Sequence, residues 1–483
     1  MATYDTVIRG GTIATAGESF VGDIGIKDGR IAALGENLPK AETDIDARGK
    51  LVTPGGIDAH CHVAQLSGMG VMTADDFESA TRSAMCGGTT TIVPFAAQHR
   101  GQSLRQVVKD YHARAEGKAS IDYAFHLIVS DPNESVLGQE LPALIEDGYT
   151  SFKIYTTYDA LKLSDRQVLD ILSLARRKQA MVMIHAENHD AMSWLAERLI
   201  ASGRTRPVYH CFSHNMPVER EATHRVIALA EMIDTPILIV HVSGREAIGE
   251  IRRAREKGLK VFAETCPQYL FLTQEDLDKK GFLGAMCMCS PPPRDKANQA
   301  YVWQALSDGL FDVFSSDHAP YRYDDPNGKL KNGPNAHFKQ VPNGVPGLEV
   351  RLPLLYAEGL LKGRISLERF VALGSTNAAK IYGLYPQKGS LAIGADADIA
   401  IWDPNRELTV TQSILHDNMD YTPYEGMKVK GWIDMTLSRG EVVSRKGEPV
   451  AKAGRGRYLP KAKPDAAKPL GRSIFTEDIS DIF

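Results

Sequence analysis

Short apolar runs bounded by glycine, proline or polar turns recur through the middle of the chain: "KLVTPGGIDAHCHV", "TTTIVPFAA", "DYAFHLIVS", "TSFKIYTT", "AMVMIHAE", "PILIVHVS", "LKVFAET" and "DVFSSDH". Near-continuous apolar character marks strands covered on both faces, as in a parallel sheet. After each comes a helical segment or a loop leading to one, such as "DRQVLDILSLARRKQ" or "REAIGEIRRAREKG". Eight strand–helix units in about 330 residues predict a (β/α)8 TIM barrel. A doubly wound open sheet is the alternative. It would show a G-x-G-x-x-G loop after an early strand, and none stands there.

The two ends have another texture. Residues 1 to about 54 read as short strands split by Gly-Gly and Asp-Gly turns, and "GSLAIGADADIAIWDP" and "GWIDMTLSRGEVVSRKG" repeat it near the other end. Each piece is too short for a full sandwich, so the expectation is one small β-sandwich domain built from both ends. The predicted division is 1–54 and 386–451 for that domain, 55–385 for the barrel, and 452–483 for an extended tail. The tail, "PKAKPDAAKPLGR" included, is expected to be disordered or draped over a neighbouring subunit.

Composition narrows the class. The chain has 483 residues, 43% hydrophobic and 24% charged. That length exceeds one hydrophobic core, and the balance is that of a globular protein. A net charge of −4 gives no reason to expect nucleic acid or an anionic membrane as partner. No apolar run approaches the roughly 20 residues that cross a bilayer. "MATYDTVIRGG" lacks a signal-peptide core. Six cysteines in so long a chain do not form a disulfide framework, and Cys287 and Cys289 form a C-x-C with no second pair. Buried thiols in a reducing, cytoplasmic setting are expected.

Polar residues on the predicted strands change the picture. In "SFKIYTTY", Phe152 and Ile154 share one face, and Ser151, Lys153 and Tyr155 the other. A lysine in a buried strand must be paired, neutral or chemically altered, because desolvating an ammonium costs several kcal/mol. His60 and His62, two apart, share a face at the end of strand 1. His185 ends strand 5, His241 ends strand 6 and Asp317 ends strand 8. Singly, each has a structural explanation: a strand-end histidine can be a hydrogen-bonded core residue, and Asp317 can cap a helix. Together they converge on the C-terminal rim, where barrel enzymes carry their chemistry. The remaining histidines are assigned no function: His99, His112, His189, His210, His214, His224, His337 and His416 on helices or loops, together with His126 and His318.

Four imidazoles and one carboxylate suit zinc or a similar divalent ion, and they are too many for one open catalytic zinc. Two metals need a bridging anion. A neutral lysine amine that adds carbon dioxide becomes a carbamate, a carboxylate on a long stem. That modification, N6-carboxylysine, is the expectation for Lys153.

The chain resembles the dihydropyrimidinase and D-hydantoinase group of the amidohydrolase superfamily, in particular the phenylhydantoinases. The matching stretches run through almost the whole sequence: "PGGIDAHCHV", "GGTTT", "TSFKIYTTY", "HAEN", "HVS", "ETCPQYL", "CSPPPR", "SSDHAP", "PNGVPGLE", "STNAAKIYGLYPQKGSLAIGADADIAIWDP" and "DYTPYEGMKVKG". The resemblance implies a binuclear zinc site. His60, His62, carbamylated Lys153 and Asp317 would hold one metal; Lys153, His185 and His241 would hold the other. It implies that Tyr158 hydrogen-bonds the oxyanion and that the backbones of Ser290 and Asn343 hold the ring amide. The substrate would be a small cyclic amide, and the assembly a homotetramer or homodimer. A hydroxide between the metals would attack a ring carbonyl. Asp317 would act as general base and then acid, and the ring would open to an N-carbamoyl amino acid.

The chain departs from the group's pattern in places. Cys61 replaces a frequent threonine between the two histidines, on the opposite face. Ser67-Gly68 stands where many relatives carry Pro-Phe, in a loop one residue longer than usual, and "SDPNES" lacks a tryptophan pair. These loops bear on the exocyclic substituent. Dihydroorotases carry arginine where this chain has Ala64, which disfavours an anionic ring. A cyclic imidase or an allantoinase-type enzyme is the alternative within the fold. A non-enzymatic scaffold relative would have lost metal ligands, and here every ligand position is filled.

Overall fold

The computed structural model describes residues 3–474. Eight parallel strands form the predicted barrel: Gly56–Cys61, Thr89–Ala97, His126–Ile128, Ser151–Tyr155, Met181–His185, Ile237–Ile239, Val261–Thr265 and Val313–Phe314. Neighbours pair in parallel register, Lys153 beside Met183 and Tyr155 beside His185. The ring closes where His62 N–H donates to His318 C=O at 2.7 Å. Strand Ser151–Tyr155 is buried at every position, as expected for a strand covered on both faces.

The outer helices follow from local sequence. Asp165–Lys178 starts at Ser164, whose hydroxyl accepts from Gln167 N–H while the Gln167 side chain returns to Ser164 N–H. It buries Val168, Ile171, Leu172 and Ala175, at helical spacing, and ends in Arg176, Arg177 and Lys178 beside its negative pole. Among the described residues, no helix is long and apolar enough to cross a membrane.

The chain ends share one nine-stranded mixed sheet, with Leu51–Pro54 of the N-terminal part paired to Ile399–Thr409 of the C-terminal part. The sheet folds over a core of its own that includes Ile8, Ile24, Ile45, Val52, Ile399 and Leu437. Its two wings meet at Ala397, which donates to Gly29 C=O and accepts from Gly440 N–H.

Three sequence expectations need correction. "KLVTPGGIDAHCHV" is two strands in two sheets, because the chain leaves the end sheet at Pro54 and enters the barrel at Gly56. "DYAFHLIVS" is likewise broken, into Asp122–Tyr123 and His126–Ile128. The tail through residue 474 is not disordered but packs against its own barrel; residues 475–483 lie outside the described part. It crosses the floor of its own barrel, with Leu459 N–H donating to Tyr123 C=O, Lys461 N–H to Gly148 C=O, and Ala462 N–H to Gly383 C=O. The approach is so close that a Cβ on Gly383 would lie 1.9 Å from Ala462 O, which only glycine avoids. Lys461 enters the barrel floor and donates to Ser151 Oγ, two residues before Lys153.

Candidate active site

The structure brings the predicted rim residues together. Lys153 Nζ lies 2.8 Å from His60 Nε2, and Asp317 Oδ1 lies 3.0 Å from His60 Nε2 and 3.4 Å from His62 Nε2. His185 Nδ1 and His241 Nε2 face each other at 2.9 Å. Ligand atoms of His60, His241 and Asp317 all lie within 4.8 Å of one another, which joins the two halves of the site. All but the lightly exposed His62 are buried. Phe95 floors the cluster, its ring 4.6 Å from Lys153 Nζ and 4.9 Å from the His60 ring.

The outer hydrogen bonds decide which way the imidazoles present their lone pairs. His60 Nδ1 meets Glu264 Oε1 at 2.6 Å, His62 Nδ1 meets Gln65 Oε1 at 2.8 Å, and His185 Nε2 meets Glu187 Oε2 at 2.7 Å. These oxygens only accept, so each outer nitrogen carries the proton and each inner nitrogen turns a lone pair into the cluster. Inward lone pairs on three histidines, crowded beside a carboxylate, form a donor set that fits divalent cations.

Electrostatics agrees. Burial pulls Lys153 down to about 8, despite Asp317 and Glu264 opposing it, so a neutral amine is accessible near neutral pH. Burial would raise Asp317, but the positive charge that His60, His62 and His241 carry when protonated outweighs it and holds the carboxyl well below its ordinary value; a bound cation would act in the same direction. Burial pushes Tyr158 well above the ordinary phenol range, which keeps its O–H as a donor. Tyr158, His241 and Asp317 sit at φ 66°, 39° and 48°, a region costly for residues other than glycine; such outliers cluster at functional sites.

The cluster opens into a cavity of about 370 Å³, lined in part by Tyr158, Ser290, Asn343, Met69 and Leu161. All the sequence-predicted site residues therefore lie at one cavity or in the cluster at its base.

Residues 51–443 match the amidohydrolase family model. The chain belongs to the amidohydrolase family. It is 44% identical over 460 residues to a D-hydantoinase of Ralstonia pickettii, covering 95% of this chain and 99% of the relative. It is 40% identical over 459 residues to a D-phenylhydantoinase of Escherichia coli, covering 94% and 97%. The crystal structure of a dihydropyrimidinase from Brevibacillus agri superposes with a TM-score of 0.92 at 41% identity, covering 95% of this chain and 99% of that one.

Within this amidohydrolase site, sequence reasoning missed several residues. Glu264 and Glu187 orient His60 and His185, and Phe95 and Gln65 complete the surround. Glu264 carried a usable signal: a carboxylate inside the buried run "LKVFAET" poses the same question as Lys153. Three histidines assigned no function, His189, His210 and His214, line the cavity. His214 Nδ1 meets Glu187 Oε1 at 2.8 Å, and His210 Nε2 lies 2.9 Å from Cys289 O and 3.1 Å from Ser290 Oγ. They belong to the excursion after strand Met181–His185, whose five-residue helix Tyr209–Ser213 is too short to leave a periodic signal. His126 and His318 are structural as expected: His126 bonds Ser151 Oγ and Ala59 O, and His318 bonds Asp75. Cys61 is fully buried on the packing side.

Proposed function

We propose that this amidohydrolase opens hydantoin or dihydropyrimidine rings to N-carbamoyl amino acids. The observation that carries the reading is the convergence of four imidazoles, Lys153 and Asp317 on one barrel rim, in a chain similar to D-hydantoinases over nearly its full length. His60, His62, Lys153 and Asp317 would hold one divalent ion and Lys153, His185 and His241 a second, with Lys153 carbamylated by carbon dioxide. When bound, two such ions supply carbonyl polarisation and depress the pKa of water.

The chain's own residues do the rest. Asp317 accepts the proton of the attacking water and returns it to the leaving ring nitrogen. The Tyr158 O–H donates to the carbonyl oxygen as charge develops on it. The backbones of Ser290 and Asn343 hold the uncleaved ring amide. Glu264, Gln65 and Glu187 fix the tautomers of His60, His62 and His185, so that their inner nitrogens would present lone pairs to the ions. A homotetramer or homodimer is the assembly proposed from the family resemblance. Six buried cysteines, none in a disulfide, support a cytoplasmic setting.

The test is a turnover panel of dihydrouracil, hydantoin, phenylhydantoin, dihydroorotate, allantoin and succinimide, run with metal analysis of the purified protein. The expected result is ring opening of the first three and about two metals per chain. Dihydroorotate, allantoin or succinimide as the preferred ring would overturn the substrate assignment, and metal-free active protein would overturn the mechanism.

A further inference from the structure

Lys329 lies in the long irregular connection after the last barrel strand, behind the cavity wall. It has no exposed surface. No carboxylate pairs with it among the described residues. Its amine instead meets three backbone carbonyls: Gly344 O at 2.6 Å, Pro342 O at 2.8 Å and Met288 O at 3.3 Å. Only an ammonium supplies three donors for three acceptors. Burial draws its pKa down to about 7, and hydrogen bonds to three carbonyls favour the ammonium over the amine.

The three carbonyls belong to two separate segments. One leads to Ser290, and the other brackets Asn343. The segments also bond directly, Gly344 N–H donating to Met288 C=O at 2.9 Å. At Gly344 the packing leaves no room for a side chain, because a Cβ would lie 2.5 Å from both Ala319 Cβ and Ala319 O.

Peptide planarity turns this anchoring into a directional device. Pro342 C=O and Asn343 N–H share one trans peptide and point opposite ways. Pro342 C=O points back to Lys329, so Asn343 N–H points forward, where Pro342, Asn343 and Gly344 line the cavity. Neither backbone group of Ser290 or Asn343 pairs with another part of the described backbone. An N–H that faces a cavity without a partner suits a carbonyl oxygen of the substrate.

We infer that Lys329 is a positioning residue for ring recognition: it holds the segments of Ser290 and Asn343 together and aims the Asn343 N–H at the uncleaved ring carbonyl. This rests on the proposed function, and it names a group that the catalytic cluster does not contain.

The test compares 5-phenylhydantoin with its 2-thio analogue, whose sulfur is a poorer acceptor, in wild type and in Lys329→Met. In wild type the held carbonyl should favour oxygen, by about 3- to 10-fold in kcat/KM for one neutral hydrogen bond. In Lys329→Met this preference should shrink to within about 2-fold, with KM for 5-phenylhydantoin rising more than kcat falls. Lys329→Gln, which keeps two donors, should lie between. A purely structural lysine would lower both substrates equally, and an unchanged oxygen-to-sulfur ratio would overturn the inference. If neither variant yields folded, metal-loaded enzyme, Lys329 is a folding residue and the positioning role is rejected. Failure of wild type to open any hydantoin is a separate result: it removes the proposed function itself.

Discussion

Lys153 Nζ and His60 Nε2 stand 2.8 Å apart although 93 residues separate them in the chain. Strands one and four of the barrel carry them, and the closed parallel ring brings the pair onto one rim. No carboxylate meets the amine closely enough to form an ion pair among the described residues, so the lysine is a better candidate for a neutral, carbon-dioxide-binding amine than for a paired cation.

Lys153→Ala is expected to lose metal and activity together. Acetate or propionate added with zinc should restore part of the activity, because a small carboxylic acid can enter the vacated space and bridge two metals. Amines should not. Lys153→Arg should stay inactive, since guanidinium keeps its charge and cannot take up carbon dioxide. Rescue by amines, or an active arginine variant, would reject the carbamate. Native mass spectrometry gives an independent reading, through a mass of one carbon dioxide lost on acid treatment.

Asp317→Asn should keep the fold and most of the metal, because one oxygen ligand remains. Turnover should fall by roughly 10²- to 10⁴-fold, the usual worth of general acid–base catalysis. Activity within a few-fold of wild type would remove Asp317 from proton transfer.

Glu187→Gln tests the outer hydrogen bonds. Glu187 holds both His185 and His214, and an amide cannot anchor two imidazole N–H groups with equal strength. Metal affinity should weaken by about 10- to 100-fold. Competition with a chelator, followed by residual activity, measures this; an unchanged competition curve would show that Glu187 has no part in ligand orientation.

Gly68 lines the cavity beside Ser67 and Met69, and a Cβ there would reach Ala160 at an ordinary 3.5 Å. The wild-type pocket should therefore accept aryl-substituted hydantoins. Gly68→Phe should lower kcat/KM for phenylhydantoin by more than it does for dihydrouracil. Wild-type kcat/KM for phenylhydantoin far below that for dihydrouracil would contradict this view of the loop.

Lys388 is buried and meets Asp122 at 2.7 Å, Asp398 at 2.8 Å and Asp396 at 3.0 Å. Burial opposes its charge, but the three carboxylates raise its pKa above the usual lysine range. Asp122 lies on a strand paired to the barrel, and Asp398 just precedes strand Ile399–Thr409 of the end sheet. Lys388→Met would leave buried carboxylates short of a cation, at a cost of about 3–5 kcal/mol. Thermal unfolding should shift down by several degrees while KM stays near wild type. An unchanged Tm would show that the aspartates find other partners.

The sequence by itself determined the barrel and the inner ring of the site. Strand burial is a local property, so apolar runs such as "TTTIVPFAA" are readable in one pass. A polar residue inside or at the end of such a run is conspicuous for the same reason, which is how His60, His62, Lys153, His185, His241 and Asp317 were found. Tertiary structure alone decided what surrounds them. Glu264 reaches His60 across 204 residues, and Lys461 reaches Ser151 across 310. Lys329 meets Met288 across 41. None of these pairings leaves a periodic trace, because a hydrogen bond between distant segments depends on where the closed barrel places their backbones. The split of "KLVTPGGIDAHCHV" has the same origin. Its two halves have equal strand character, and only the partners available on each side, the end sheet at Leu51–Pro54 and the barrel at Gly56–Cys61, assign them to different sheets.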